Sequence, residues 1–142
     1  MLIPKHYENI NILHEGTMPI RAYYVPSSAR LADPVEHREQ SDRFMLLNGE
    51  WDFRYYASIY DMQDAFWEAG FDTAAFDRIP VPSVWQHQGY DRHMYVDGAY
   101  PFPMDPPYVP QENPCGAYVR HFVPFPHPCR ESQTWFQPPR RR

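Results

Sequence analysis

The sequence has little cysteine, no long apolar run and no excess of positive charge, and each absence excludes a class of protein. Its 142 residues include two cysteines, Cys115 and Cys129, which are too few for a disulfide framework. No stretch approaches the roughly 20 consecutive apolar residues of a membrane span, and the N-terminus lacks a signal-peptide pattern. We therefore expect a cytoplasmic location and no membrane partner. The formal net charge of −5 gives no general attraction to nucleic acid.

Aromatic residues and prolines are abundant instead. The chain has 4 Trp, 11 Tyr, 9 Phe and 17 Pro. Helices tolerate proline poorly, so the composition excludes a helical bundle. Disorder throughout is also excluded, because so many aromatic side chains favour burial. This composition predicts an all-β domain with long ordered loops.

Composition divides the chain into three parts. Residues 1–44 mix single apolar residues with turn formers and charges, which predicts an extended N-terminal arm around a larger body. Residues 45–123 carry the strand patterns of the domain itself. Residues 124–142 hold five prolines and four arginines against one glutamate, and they show no apolar period, so we expect an unstructured tail. A single cluster of three arginines at its end is weak evidence for nucleic-acid binding, and we expect no such partner.

The clearest strand pattern lies at residues 51–56, after the turn pair Asn48-Gly49. Here Trp51, Phe53 and Tyr55 occupy every second position, between Asp52, Arg54 and Tyr56. A period of two with aromatic residues on one face is typical of a half-buried antiparallel strand.

Other segments predict one helix, two strands and a long loop. Apolar residues near helical spacing over residues 58–70 predict a short helix of two or three turns that stops at Gly70. Residues 77–81 predict a short strand with prolines at its end, and residues 116–123 return to a period of two. Residues 80–114 contain eight prolines with interleaved aromatics, which predicts an extended loop of the kind that often carries function.

Four long motifs occur in a fixed order through most of the chain. They are ENINILHEGTMPIRAYYVP at 8–26, LLNGEWDFRY at 46–55, IPVPSVWQHQGYD at 79–91 and YPFPMDPPYVPQENPCGAYVRHF at 100–122. In this order and spacing the chain resembles the N-terminal sugar-binding domain of bacterial β-galactosidases of glycoside hydrolase family 2. The resemblance covers roughly residues 8–123.

The resemblance implies a jelly-roll β-sandwich of the galactose-binding-domain type, which is incomplete here. In that family, immunoglobulin-like sandwiches and a (β/α)8 barrel follow, and two glutamates in the barrel perform retaining hydrolysis. We expect the chain to be a truncated or frame-shifted product without catalytic groups or cofactors of its own. Family members often use Mg and Na at sites outside this segment, act on β-galactosides as full enzymes, and are usually homo-oligomers.

Asp97 is the candidate substrate contact. In the family, the matching stretch has an Asn that reaches from this domain to the edge of the sugar pocket. Asp97 stands at that position, and a carboxylate can accept hydrogen bonds from sugar hydroxyls but cannot donate them as an amide does. The alternative is a turn residue, because Asp97 precedes Gly98 and Asp-Gly is a common turn pair.

Other candidate side chains have plainer interpretations. Trp85 with Tyr90, Tyr95 and Tyr100 could form a sugar platform, but packing over a sandwich is favoured. His87 and His93 match no standard zinc spacing, so we expect no metal site. Cys115 has no nucleophile motif around it and fits a strand entrance, and Glu112 is expected to anchor the turn before that strand through backbone hydrogen bonds.

Three hypotheses for the function follow. The first is the N-terminal part of a β-galactosidase, which contributes scaffold, subunit contacts and one position at the pocket rim. The second is a stand-alone carbohydrate-binding module. The third is a non-functional gene remnant. The tail favours the first or the third over the second.

Overall fold

One antiparallel sheet organises the part of the chain that the computed structural model describes, which is residues 4–20, 22–95, 97–98 and 104–123. Its three strands are β1 (Gly49–Tyr56), β2 (Asp77–Val81) and β3 (Cys115–Val119). The spatial order is β2-β1-β3, so β1 is the central strand. Phe53 of β1 lies opposite Asp77 in β2 and Tyr118 in β3.

The strand predictions are confirmed for β1 and β2. The β2 bounds are those expected, and its Pro80 is tolerated because β2 lies at an edge of the described sheet. The third strand was expected over residues 116–123 but ends at Val119. The reason lies in Arg120, whose Nη1 donates hydrogen bonds to the Leu47 and Asn48 carbonyl oxygens at 2.7 and 2.6 Å. A side chain thus satisfies the backbone acceptors that precede β1.

Aromatic rings cover one face of the sheet. Phe53 is fully buried, with its ring centroid 4.7 Å from that of Tyr118 and 4.8 Å from that of Tyr90. Trp51 packs edge-on against Tyr118 at 6.5 Å. Ile79, opposite Trp51 in the register, is 1% exposed. The predicted aromatic face of β1 is therefore confirmed.

The opposite face of β1 is covered at its Tyr56 end, whereas Arg54 on the same face is exposed. Tyr56 is buried there in a cluster with Met62, Phe76 and Ala117. Its hydroxyl donates to Asp64 Oδ2 at 2.5 Å, which gives the buried phenol a polar partner. Burial and the bond to Asp64 both raise the pKa of Tyr56. The alternating pattern of β1 did not predict burial of the opposite face, because the core residues on that face come mainly from the segment between β1 and β2.

The predicted helix over residues 58–70 is wrong. The structure has a single 3₁₀ turn, Ile59–Asp61, followed by extended backbone at Met62. Asp64 is held by Tyr56 and by Arg54, whose Nη1 lies 3.3 Å from Asp64 Oδ2, and these contacts draw the chain onto the sheet. The apolar side chains of residues 58–70 reach the core from turns. Their spacing is near that of a helix although these residues form none beyond the 3₁₀ turn.

The chain divides into two compact units. The first comprises Met1–Leu13 and Leu47–Arg120 and contains the sheet. The second comprises His14–Leu46 and, among the described residues, 121–123. Within the second unit, Ser41 is buried and its hydroxyl donates to the Pro26 carbonyl oxygen. The expected boundaries at residues 44 and 123 remain predictions, and the expected tail at 124–142 lies outside the described residues.

Short 3₁₀ helices complete the described structure. They are His6–Glu8, Arg38–Gln40, Ile59–Asp61 and Trp85–Gln88. The described residues of the expected arm contain two of these helices and no strand. Across the part of the chain that the structure covers, no helix has the length and apolar character needed to cross a bilayer. The fold is therefore β-rich and mostly non-helical over these residues.

Candidate functional site

The segment from Trp85 to Gly98 carries the candidate site and is anchored on the aromatic face of the sheet. Trp85 opens the 3₁₀ helix Trp85–Gln88, and its ring lies 6.3 Å from Phe53 and 6.0 Å from Tyr55. Tyr90 lies 6.1 Å from the Tyr55 ring, in addition to its contact with Phe53. These contacts confirm the packing interpretation for Trp85 and Tyr90, because both rings are used to attach the segment to β1.

Polar contacts fix the same segment. The Tyr90 hydroxyl donates to Asp77 Oδ2 at 2.6 Å, which ties the segment to the start of β2. This hydrogen bond, together with burial, raises the pKa of Tyr90 to about 12. Asp91 has a positive φ of 59°, an uncommon conformation for a non-glycine residue. Burial raises the pKa of Tyr55, and the negative charge of Asp91 raises it further. The first half of the segment is thus held by aromatic rings and by the Tyr90–Asp77 hydrogen bond.

Asp97 is exposed, in a bend that continues into Gly98 with φ of +70°. This backbone is the kind that the Asp-Gly turn interpretation requires. The exposed carboxylate can accept hydrogen bonds from a ligand's hydroxyl groups. Contact with a sugar remains a prediction. Tyr95 nearby is 92% exposed, and Tyr100 lies outside the described residues.

The rings of His87 and His93 come together, which their spacing in the sequence did not indicate. Their centroids are 5.1 Å apart and their planes are inclined by 42°. Both residues are exposed. Within the described ranges, no group of three or more His, Cys, Asp or Glu side chains is arranged to hold a metal ion.

Cys115 and Glu112 carry no catalytic arrangement. Cys115 is the first residue of β3, as expected, and burial, with the charge of Asp61, raises the pKa of its thiol. A raised pKa keeps the thiol protonated and unreactive. The turn before β3 is anchored differently from the expectation for Glu112. The Gln111 and Asn113 carbonyl oxygens accept hydrogen bonds from the Ser58 hydroxyl and the Ile59 N–H, at 2.7 and 2.9 Å.

A pocket of about 580 Å³, which no sequence pattern indicated, lies in the first unit. Its walls are formed by Lys5, Ser58, Tyr60, Asp61 and Gln111. Lys5 Nζ donates to Glu8 Oε2 at 3.0 Å and to the Tyr60 hydroxyl at 3.4 Å. The bond to Glu8 raises the pKa of Lys5, so the amine is a cation already paired with a carboxylate. No local signal joins Lys5 to Tyr60, because 55 positions separate them.

Comparison with known proteins gives one consistent result. The chain is 43% identical over 120 residues to a protein of Actinobacillus pleuropneumoniae, 39% over 124 residues to one of Staphylococcus xylosus, and 41% over 110 residues to one of Vibrio vulnificus. Each of these relatives is named beta-galactosidase. The alignments cover 84%, 87% and 78% of this chain but only 12%, 12% and 10% of the relatives.

A family match covers the sheet and the candidate segment. Residues 44–135 match the family described as "Glycosyl hydrolases family 2, sugar binding domain". The match begins just before β1 and includes Asp97. It also continues to residue 135, whereas the motifs had indicated a resemblance that ends near residue 123, so the first part of the expected tail aligns with the family too. The chain therefore belongs to the sugar-binding domain family of glycosyl hydrolases family 2.

Proposed function

We propose that this chain is the N-terminal part of a β-galactosidase that hydrolyses terminal β-D-galactose residues of β-galactosides. One observation carries the proposal. About 40% identity extends over most of this chain to proteins named beta-galactosidase, while the chain spans about 12% of their length. The activity therefore belongs to a longer protein in which this segment is the scaffold. The acid/base and nucleophile glutamates of the retaining reaction, and any Mg or Na, lie outside this segment.

The finer architecture is part of the same proposal. The three-stranded sheet is one portion of a jelly-roll β-sandwich, in which further strands complete the two layers. The parent enzyme is a cytoplasmic homo-oligomer whose small-molecule partner is the galactoside, with no role for nucleic acid or membrane. The family match over residues 44–135 supports the sandwich, because it joins the sheet and the segment after it in one domain.

Asp97 is the position through which this domain meets the substrate pocket. The rings of Trp85 and Tyr90 fix the start of the segment on the sheet. Asp97 lies seven residues beyond Tyr90, and its carboxylate is exposed. It is therefore available to a neighbouring domain and can accept a hydrogen bond from a galactose hydroxyl.

A chimera tests the proposed function. Residues 8–123 would replace the aligned segment of the Actinobacillus pleuropneumoniae relative, and turnover of a chromogenic β-galactoside would be measured. We expect the chimera to hydrolyse the galactoside and the purified 142-residue chain to give no turnover. A folded chimera without activity, or turnover by the chain alone, would contradict the proposal.

Asp97 is tested in the same chimera. A hydrogen bond to an ionised group contributes about 1.5–3 kcal/mol, so Asp97→Ala should raise KM for the galactoside by about tenfold or more. Asp97→Asn keeps an acceptor oxygen and should stay close to the parent chimera. Asp105→Ala, at another exposed aspartate, is the matched control. An unchanged KM in Asp97→Ala would assign Asp97 to the turn alone.

The alternative function is a stand-alone carbohydrate-binding module. Sheet-anchored aromatic residues are also found in such modules, but Trp85 and Tyr90 already use their rings for packing. Calorimetric titration of the 142-residue chain with galactose, lactose and a β-galactoside inhibitor separates the two functions. The scaffold function predicts no saturable heat, whereas millimolar or tighter binding would favour the module.

A further inference from the structure

A pair of imidazole rings lies on the surface of the segment that carries Asp97. His87 is in the 3₁₀ helix Trp85–Gln88, and His93 follows six residues later, after a reversal of the chain. Their ring centroids are 5.1 Å apart. Both side chains are exposed to solvent, so an ion could reach them without a change in the fold.

The distance between the ring centroids is close to that of two imidazoles bound to one metal ion. An imidazole nitrogen binds Zn²⁺ at about 2.0–2.1 Å, which places the ring centroid about 3.2 Å from the ion. Two rings at a tetrahedral angle around one ion then have centroids about 5.2 Å apart. The 42° inclination of the planes also differs from a parallel stack, in which the ring faces would be opposed.

The backbone that carries His87 is fixed by hydrogen bonds. The Tyr90 N–H donates to the Trp85 carbonyl oxygen at 3.1 Å, and the His87 N–H donates to that of Val84 at 3.0 Å. Tyr90 is in turn held by the Phe53 ring and by Asp77. These contacts fix the backbone of His87 as far as Tyr90, and His93 follows Tyr90 by three residues.

One acidic and one basic residue, Asp91 and Arg92, lie between the two histidines in the sequence. The carboxylate of Asp91 lies within the reversal, where its Oδ1 accepts a hydrogen bond from the Arg92 N–H at 2.8 Å. Arg92 is exposed. Two imidazole nitrogens with open remaining positions suit Cu²⁺, Ni²⁺ and Zn²⁺ rather than Mg²⁺ or Ca²⁺, which prefer oxygen ligands.

We propose that His87 and His93 form a two-imidazole binding site for a divalent transition-metal ion, with solvent completing the coordination. The site lies four residues from Asp97, on the same anchored segment, and it uses no residue of the proposed scaffold function.

Calorimetric titration of the 142-residue chain with Ni²⁺ at neutral pH tests the site. The variants are His87→Gln and His93→Gln, and His121→Gln is the matched control because it removes another exposed histidine. We expect the intact chain and the control to share one saturable phase. Either of the other two variants should weaken that phase by about tenfold or more, because each leaves a single imidazole.

Two results would overturn the proposal. In the first, the intact chain binds Ni²⁺ no more tightly than His87→Gln or His93→Gln. In the second, either variant lowers the number of ions bound while the affinity stays the same, which would mean that the histidines bind independently. Circular dichroism of each variant checks that the sheet is retained, and a glutamine variant with an altered spectrum would be replaced by the alanine variant at the same position.

Discussion

Gly116 lies where the aromatic face leaves no room for a side chain, and Gly116→Ala should destabilise the sheet. A Cβ at this position would lie 2.6 Å from Phe53 Cε2 and 3.0 Å from Trp85 Cζ3. Carbon atoms in ordinary contact are about 3.5–4.0 Å apart, so the overlap with Phe53 is about 1 Å. Phe53 is fully buried and flanked by the Tyr90 and Tyr118 rings at 4.8 and 4.7 Å, so it has no space to retreat.

Two effects of this substitution oppose each other. Gly116 does not have a positive φ, so its backbone accepts alanine, and the loss of glycine flexibility would stabilise the fold by about 0.4–1 kcal/mol. Overpacking of a filled core costs about 1–3 kcal/mol. The steric effect is the larger one, and we expect the free energy of unfolding to fall by about 1–2 kcal/mol.

Urea unfolding followed by tryptophan fluorescence measures this change. With a slope of about 1–3 kcal/mol per molar urea, the midpoint should fall by roughly 1 M. The double variant Gly116→Ala/Phe53→Leu is the internal control, since a smaller side chain at position 53 makes space for the methyl group. Its destabilisation should be less than the sum of the two single effects. An unchanged midpoint in Gly116→Ala, or additivity within about 0.5 kcal/mol, would refute the steric argument.

Two further predictions concern the anchors of the sheet. The pKa of Tyr90 is about 12 in the folded state against an ordinary value of 10, so its contribution to stability is complete below pH 10 and is lost as the pH rises toward 12. In Tyr90→Phe, this part of the loss of stability at alkaline pH should disappear. Absorbance titration of the variant should also show one fewer tyrosine that ionises at high pH. Arg120→Leu should lower the free energy of unfolding in urea by about 1.5–3 kcal/mol, because it removes the cation that donates to the Leu47 and Asn48 carbonyl oxygens. A midpoint equal to that of the parent chain would contradict this role.

Local patterns predicted the strands well because their cause is local. In β1, the alternation of Trp51, Phe53 and Tyr55 sets which face is aromatic, and the structure places these rings on one face. In β2, Pro80 and Pro82 limit the strand length through the missing amide donors. The end of β3 was not predictable in this way, since it depends on the contact of Arg120 with residues more than 70 positions earlier in the chain.

The mistaken helix shows the limit of periodicity. Side chains near helical spacing over residues 58–70 indicate only that these residues face a core, and turns can direct them there as well. A hydrogen bond from the Tyr56 hydroxyl to the Asp64 carboxylate holds this segment on the sheet, and no local sequence pattern indicates that contact. The pairing of His87 with His93 was missed for a similar reason, because a chain reversal brings them together at a spacing typical of neither helix nor strand.

The central position of β1 has a consequence for the order in which the sheet can assemble during synthesis. Residues 57–76, a connection of 20 residues, separate β1 from β2, whereas 58 residues, 57–114, separate β1 from β3. Closing the longer connection costs about 1 kcal/mol more in chain entropy, and the ribosome also releases β3 last. The β1–β2 pair therefore forms first, and one edge of β1 lies open to other extended chains until Val119 has emerged.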